Sequence, residues 1–218
     1  MTRRSRFMGL FAAAALALVS AAPAVAQDEA TADDNMEMEG PTVEVSGVDY
    51  AFENLPTSVP AGTTLTFTND GTEFHEMIVV RITDEVTPLE ELMAMPEEES
   101  AAISEFVGYV SAFPGTSADG SITLETPGRY TVVCVISQGS DPARFEALGF
   151  DPMQLDENTD MNTLPPEVQE LLAELESSPT HNELGMVQEF MVTEAGTEVG
   201  PLPEADTEET EAEEEAAE

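Results

Sequence analysis

The chain has 218 residues, with 45 Asp and Glu against six basic residues, all Arg, a single Cys and two His. A surface this negative repels phosphate backbones and anionic lipid headgroups, which excludes nucleic-acid and peripheral-membrane roles. One Cys excludes an intramolecular disulfide framework and a four-Cys zinc site, while 41% apolar content supplies one core.

Residues 1–26 read as an export signal. Arg3, Arg4 and Arg6 precede an apolar run from Phe7 to Val19, and Ala24-Val25-Ala26 forms the small-residue cleavage pattern. Cleavage after Ala26 leaves three Arg against the 45 acids, a net charge of −42, and places the protein in a periplasm or outside the cell. No later apolar stretch is long enough to cross a bilayer, so no membrane insertion is expected after cleavage. Residues 27–41 are polar, acidic and free of aromatic side chains, and predict a disordered linker.

From residue 42 to 195 the pattern is mostly of period two, with turn residues between segments. Val43, Val45 and Val48 lead into Tyr50 and Phe52; Ala61-Gly62 turns the chain into Leu65 and Phe67, which alternate with threonines. Met77 to Ile82 predicts a buried strand, and further strands are expected at Val107–Ala112, Ile122–Leu124, Tyr130–Ile136 and Met186–Val192. The set of about seven to eight short strands predicts an all-β fold, a Greek-key β-sandwich.

Two partly helical insertions interrupt it. In the first, about residues 83–106, Thr87 is the expected cap and Pro88 the first position of a helix to Met95, with a second turn near Ser100–Glu105. In the second, about residues 137–180, Asp141-Pro142 opens a short helix that Gly149 ends. Pro165-Pro166 opens another with Val168, Leu171, Leu172 and Leu175 at amphipathic spacing. Asp156, Asn158 and Asp160 alternate before Glu167, but Met161 stands where a calcium loop requires Gly, so a solvated acidic loop is expected. Residues 196–218, with nine acids from Glu204 onward, predict a disordered acidic tail.

The chemistry-bearing residues fall on this frame in a telling order. His75 opens a buried-type strand, Cys134 ends another, and His181 precedes the last strand with Met186 five positions on. Two imidazoles, a thiolate and a distant thioether are the donor set of a blue-copper electron-transfer site. Singly, each residue has a plainer reading: a capped surface His, a small buried Cys, a core Met.

Three segments carry a resemblance to a known family. They are Val59-Pro60-Ala61-Gly62-Thr63-Thr64-Leu65-Thr66-Phe67-Thr68-Asn69 with His75 six residues later; Thr126-Pro127-Gly128-Arg129-Tyr130-Thr131-Val132-Val133-Cys134; and His181-Asn182-Glu183-Leu184-Gly185-Met186-Val187. The chain resembles the cupredoxins, the plastocyanin and azurin family of single-copper electron carriers. The resemblance implies one type 1 copper ion held by His75, Cys134 and His181, with Met186 as axial ligand. It covers the strand core and none of the tails or insertions.

Two departures stand out. In the family, Cys and the second His share a short loop, whereas 46 residues separate Cys134 from His181 here. Closing so long a loop costs roughly 2–3 kcal/mol more, against about 10 kcal/mol or more gained by a metal site of similar ligands. The site therefore survives if the ends of the insertion return close together. The second departure is Glu76, where the family often has Asn; it is expected to stabilise Cu(II) or to face solvent.

The functional expectation is an exported electron carrier, a monomer with one copper and a redox partner that presents a basic docking face. Met36, Met38, Met93 and Met95 motivate an alternative, an envelope copper buffer or delivery protein. The long Cys134–His181 gap motivates another, a copper-free binding module. No enzyme reading competes: no phosphate-binding glycine loop and no recognisable nucleophilic triad occur.

Overall fold

The computed structural model describes residues 40–151 and 159–203. The expected export signal, almost all of the expected linker, the start of the acidic loop and most of the C-terminal tail lie outside them. The described residues form nine strands and four α-helices. The strands are β1 (Thr42–Val48), β2 (Ala51–Glu53), β3 (Ser58–Pro60), β4 (Thr63–Asn69), β5 (His75–Ile82), β6 (Ser104–Ala112), β7 (Ile122–Leu124), β8 (Gly128–Val133) and β9 (Val187–Thr193). The helices are α1 (Leu89–Ala94), α2 (Glu97–Ala102), α3 (Pro142–Ala147) and α4 (Pro166–Ser177).

The architecture is an all-β sandwich of two sheets, ordered β2-β1-β4-β7 and β3-β9-β8-β5-β6. The pairs β1–β4 and β3–β9 are parallel and the others antiparallel. Parallel neighbours cannot be joined by a tight hairpin. The chain therefore passes from sheet to sheet repeatedly, at β2–β3, β3–β4, β4–β5, β6–β7 and β7–β8.

Strand alternation explains the core. Along β4, Thr63, Leu65, Phe67 and Asn69 are buried and the threonines between them are half-buried, as period two requires of a strand with one face inward. Val45, Met77, Val79, Leu124, Tyr130, Val132, Phe190 and Val192 complete the dry interior. Tyr130 closes the corner before β8: its hydroxyl donates to the Thr126 carbonyl at 2.6 Å, spanning the Pro127-Gly128 turn.

The helices fall in the two expected excursions, with local differences. Thr87 is not the cap of α1. Its hydroxyl and its backbone N–H both donate to the Asp84 carboxylate, and α1 starts from Pro88 with no side-chain cap. The α2 helix ends at Ala102, before the expected Glu105, because β6 begins at Ser104 and pairs with Ile82 across a bulge at Val79/Val80. The three-residue strands β2 and β3 raise the strand count to nine. In the second excursion α3 is capped as expected, Asp141 accepting from the Ala143 N–H at 2.8 Å. The α4 helix buries Val168, Leu171 and Leu175.

That excursion is closed at its base. Gln138 N–H donates to the Pro179 carbonyl at 2.8 Å, His181 N–H to Ile136 at 2.7 Å, and Asn182 N–H to Cys134 at 2.9 Å. A β-bridge between Ser137 and Thr180 sits alongside them. The 46 intervening residues thus leave and return through one short antiparallel seam, and the condition set by the loop-closure cost is met.

Candidate metal centre

The cluster lies at one end of the sandwich, where three chain segments meet. His75 is the first residue of β5, paired with Ala112 of β6. Cys134 follows β8 directly. His181 and Met186 bracket the tight turn before β9, in which Met186 N–H returns to the His181 carbonyl at 2.8 Å and Cys134 N–H donates to the Met186 carbonyl at 3.1 Å. Gly185 takes φ +116° in that turn, a conformation that favours glycine. All four residues have 0% of their surface exposed.

Three of the four expected donors converge. His75 Nδ1 and His181 Nδ1 are 3.0 Å apart, and Cys134 Sγ is 3.4 Å from His181 Nδ1. One ligand atom from each of His75, Cys134 and His181 lies within 4.8 Å of the others. The two imidazole rings meet edge to face at 4.8 Å. Met186 is buried in the adjoining core, its methyl against the Gly47 backbone: a Cβ at Gly47 would stand 3.2 Å from Met186 Cε and 2.7 Å from the Phe67 ring. A buried N₂S set fits a copper ion, since imidazole and thiolate both serve Cu(I) and Cu(II).

Electrostatics suit the same cation. Burial pushes the pKa of both imidazoles down. The neighbouring His181 lowers His75 further, opposed by Asp49, and Glu73 opposes the shift at His181. Both shifts favour the neutral ring, the form an imidazole must take to ligate a metal. Burial pushes the Cys134 thiol up to about 12, against backbone hydrogen bonds from Glu76 and Ile136 to the sulfur. A metal entering this site displaces the thiol proton.

Two neighbours carry no signal in the sequence. The outward nitrogen of each imidazole faces a carboxylate: His75 Nε2 is 3.3 Å from Asp49 Oδ1, and His181 Nε2 is 3.1 Å from Glu73 Oε2. Nothing in a chain with 45 acids marks these two, because their significance depends on loops that only the fold brings together. A third acid departs from one of its two expected roles. Glu76 does not face solvent; it is buried, with its Oε1 accepting the Val135 N–H at 3.1 Å.

No protein-family model matches the chain, and no curated protein sequence matches it. Among solved structures, the chain is similar to a dithionite-reduced auracyanin from the photosynthetic bacterium Roseiflexus castenholzii, at 22% identity over 50% of this chain and 90% of that one, with a TM-score of 0.31. It is similar to auracyanin B at 20% identity over 72% of this chain and 91% of that one, TM-score 0.34. A third similar structure is auracyanin A, described as a blue copper protein of the green thermophilic photosynthetic bacterium Chloroflexus aurantiacus, at 22% identity over 44% and 87%, TM-score 0.30.

Proposed function

We propose that this chain is an exported type 1 copper protein that carries single electrons between redox partners. The observation that carries the reading is the convergence of His75 Nδ1, His181 Nδ1 and Cys134 Sγ at a buried end of the sandwich. In this reading His75, Cys134 and His181 would hold the ion, and the Met186 thioether would be the fourth donor. The ion, when bound, supplies a one-electron couple between Cu(I) and Cu(II).

The residues of the chain do the rest. Full burial of the four side chains keeps water from the donors. The seam from Cys134 to Asn182 and the return bond from Met186 to His181 anchor three of them to one another through the backbone. A rigid frame of this kind limits the rearrangement that accompanies a change of oxidation state.

The closed base of the second excursion removes the motive for a copper-free module. The copper-buffer alternative draws no support from the Met pairs. Met93 is exposed on α1 and Met95 half-buried just beyond it, and Met36 and Met38 lie outside the described residues.

Among the described residues no helix is long and apolar enough to cross a membrane. Export rests on the pattern of residues 1–26, and a basic docking face on the redox partner complements the net charge of −42 left by the 45 acids and three remaining Arg. The test is to add Cu(II) to the purified protein and record the visible spectrum. An intense thiolate-to-copper band at one copper per chain is expected, and Cys134→Ser abolishes it. A wild type without the band, or a variant that keeps it, overturns the reading.

A further inference from the structure

We infer that Glu73 and Asp49 are positioning residues of the metal centre, holding both imidazoles in the tautomer that turns a bare Nδ1 toward the ion. The inference rests on the copper reading above and assigns a role to two side chains outside the ligand set.

The hydrogen bonds dictate the direction. Glu73 Oε2 accepts the Gly139 N–H at 2.6 Å, and Oε1 accepts the Tyr50 hydroxyl at 3.0 Å. That hydroxyl is free to donate because it accepts from Gln138 Nε2 at 3.0 Å. Asp49 is arranged alike: Oδ1 accepts the Thr72 N–H at 2.8 Å and Oδ2 the Thr72 hydroxyl at 2.7 Å. Both carboxylates thus present lone pairs only, and the Nε2 atoms facing them must carry the hydrogen. A neutral imidazole has one N–H, so Nδ1 is bare on both rings. Two bare nitrogens 3.0 Å apart repel, and without a metal the Cys134 thiol, 3.4 Å from His181 Nδ1, is the donor at hand to that nitrogen. A cation between the donors converts that repulsion into coordination.

The supports are built rather than incidental. Asn69, fully buried, fixes the loop that carries Glu73: its Nδ2 donates to the Glu73 and Ala112 carbonyls, each at 2.8 Å, and its Oδ1 accepts the Gly71 N–H at 2.9 Å. Gly71 lies against the other contact, where a Cβ would come within 2.6 Å of both Asp49 Oδ1 and His75 Nε2. Glu73 joins three segments at one point: the β1–β2 turn through Tyr50, the β4–β5 loop, and the excursion between Cys134 and His181 through Gly139. Outer partners of this kind orient a ligating His and raise its basicity.

The experiment is a long-range proton–nitrogen correlation spectrum of the ¹⁵N-labelled, metal-free protein at neutral pH, with Cu(II) titrations against a competing chelator. In the wild type both His side chains are expected as the Nε2–H tautomer. Glu73→Ala is expected to give His181 mixed tautomers and about 10–100-fold weaker Cu(II) binding, and Glu73→Gln, which keeps an acceptor, to restore the tautomer. Asp49→Ala gives the parallel readout at His75 should Glu73→Ala not fold. Wild-type rings protonated at Nδ1 overturn the inference. So do unchanged tautomer and affinity in folded Glu73→Ala or Asp49→Ala while copper still binds. Absence of the copper band in the wild type overturns the underlying reading instead, and is told apart because the tautomer spectrum needs no metal.

Discussion

Glu76 stands one residue after His75, and strand alternation sends its side chain to the opposite face of the sheet from His75 and Met77. Burial raises its carboxyl from 4.5 to about 7, against a hydrogen bond from Val135. The unfolded chain therefore ionises Glu76 above pH 4.5 and the folded chain only near pH 7. Stability is lost as pH rises through that window, by about 3 kcal/mol in all. Glu76→Gln keeps an acceptor for the Val135 N–H and removes the ionisation. The metal-free variant is expected to be about 2 kcal/mol more stable than the wild type at pH 8, with the advantage vanishing toward pH 5. Urea unfolding at the two pH values checks this, and an advantage independent of pH refutes it. At this scale the cluster of His75, Cys134 and His181 was legible, because His and Cys are so rare here that their order along the chain carries information. Glu76, Asp49 and Glu73 were not, because an acid among 45 has no signature until its surroundings are known.

The excursions show the same division for whole elements. Helix signals survive in the sequence because caps, prolines and apolar spacing are local, and α3 and α4 lie where those signals put them. The start of β6 and the end of α2 depend on pairing with β5, which is not local. Phe145 of α3 and Leu171 and Leu175 of α4 form an apolar cluster separate from the sandwich core. Arg144 ties the same helices together, bonding the Gly139 carbonyl at 3.0 Å and Glu174 at 2.8 Å. The seam at Ser137 and Thr180 closes the excursion below these helices, so their opening is expected to leave Cys134 and His181 in place. Leu171→Ala is expected to lower the opening free energy of α3 and α4 by about 2–3 kcal/mol and to leave the copper spectrum unchanged. Amide hydrogen exchange reads the first effect and visible absorption the second; a shifted band shows that the helices hold the site.

Across the whole molecule, the acidic surface sets the electrostatics outside the core. Among the described residues the three arginines all face carboxylates: Arg81 with Glu105, Arg129 with Glu189 and Arg144 with Glu174. Arg129 also pins the first excursion through the Asp84 and Thr87 carbonyls. The remaining negative charge repels itself over distances that salt shortens, from about 30 Å at 0.01 M to about 3 Å at 1 M. Raising the salt from the first concentration to the second is expected to stabilise the metal-free protein by about 2 kcal/mol, a rise in thermal midpoint of about 4–8 °C. Calorimetry in sodium chloride measures it, and a flat or falling midpoint rejects self-repulsion as a significant cost. By itself the sequence determined the sandwich class, the two excursions, the acidic surface and the order of His75, Cys134, His181 and Met186, since period, composition and rarity are properties of a string. Only the tertiary structure decided that the excursion closes at its base, that Glu76 is buried and that two acids face the imidazoles. Each of those is a contact between residues distant in the chain, and distance along the chain says nothing about which of many acids, or which loop ends, will meet.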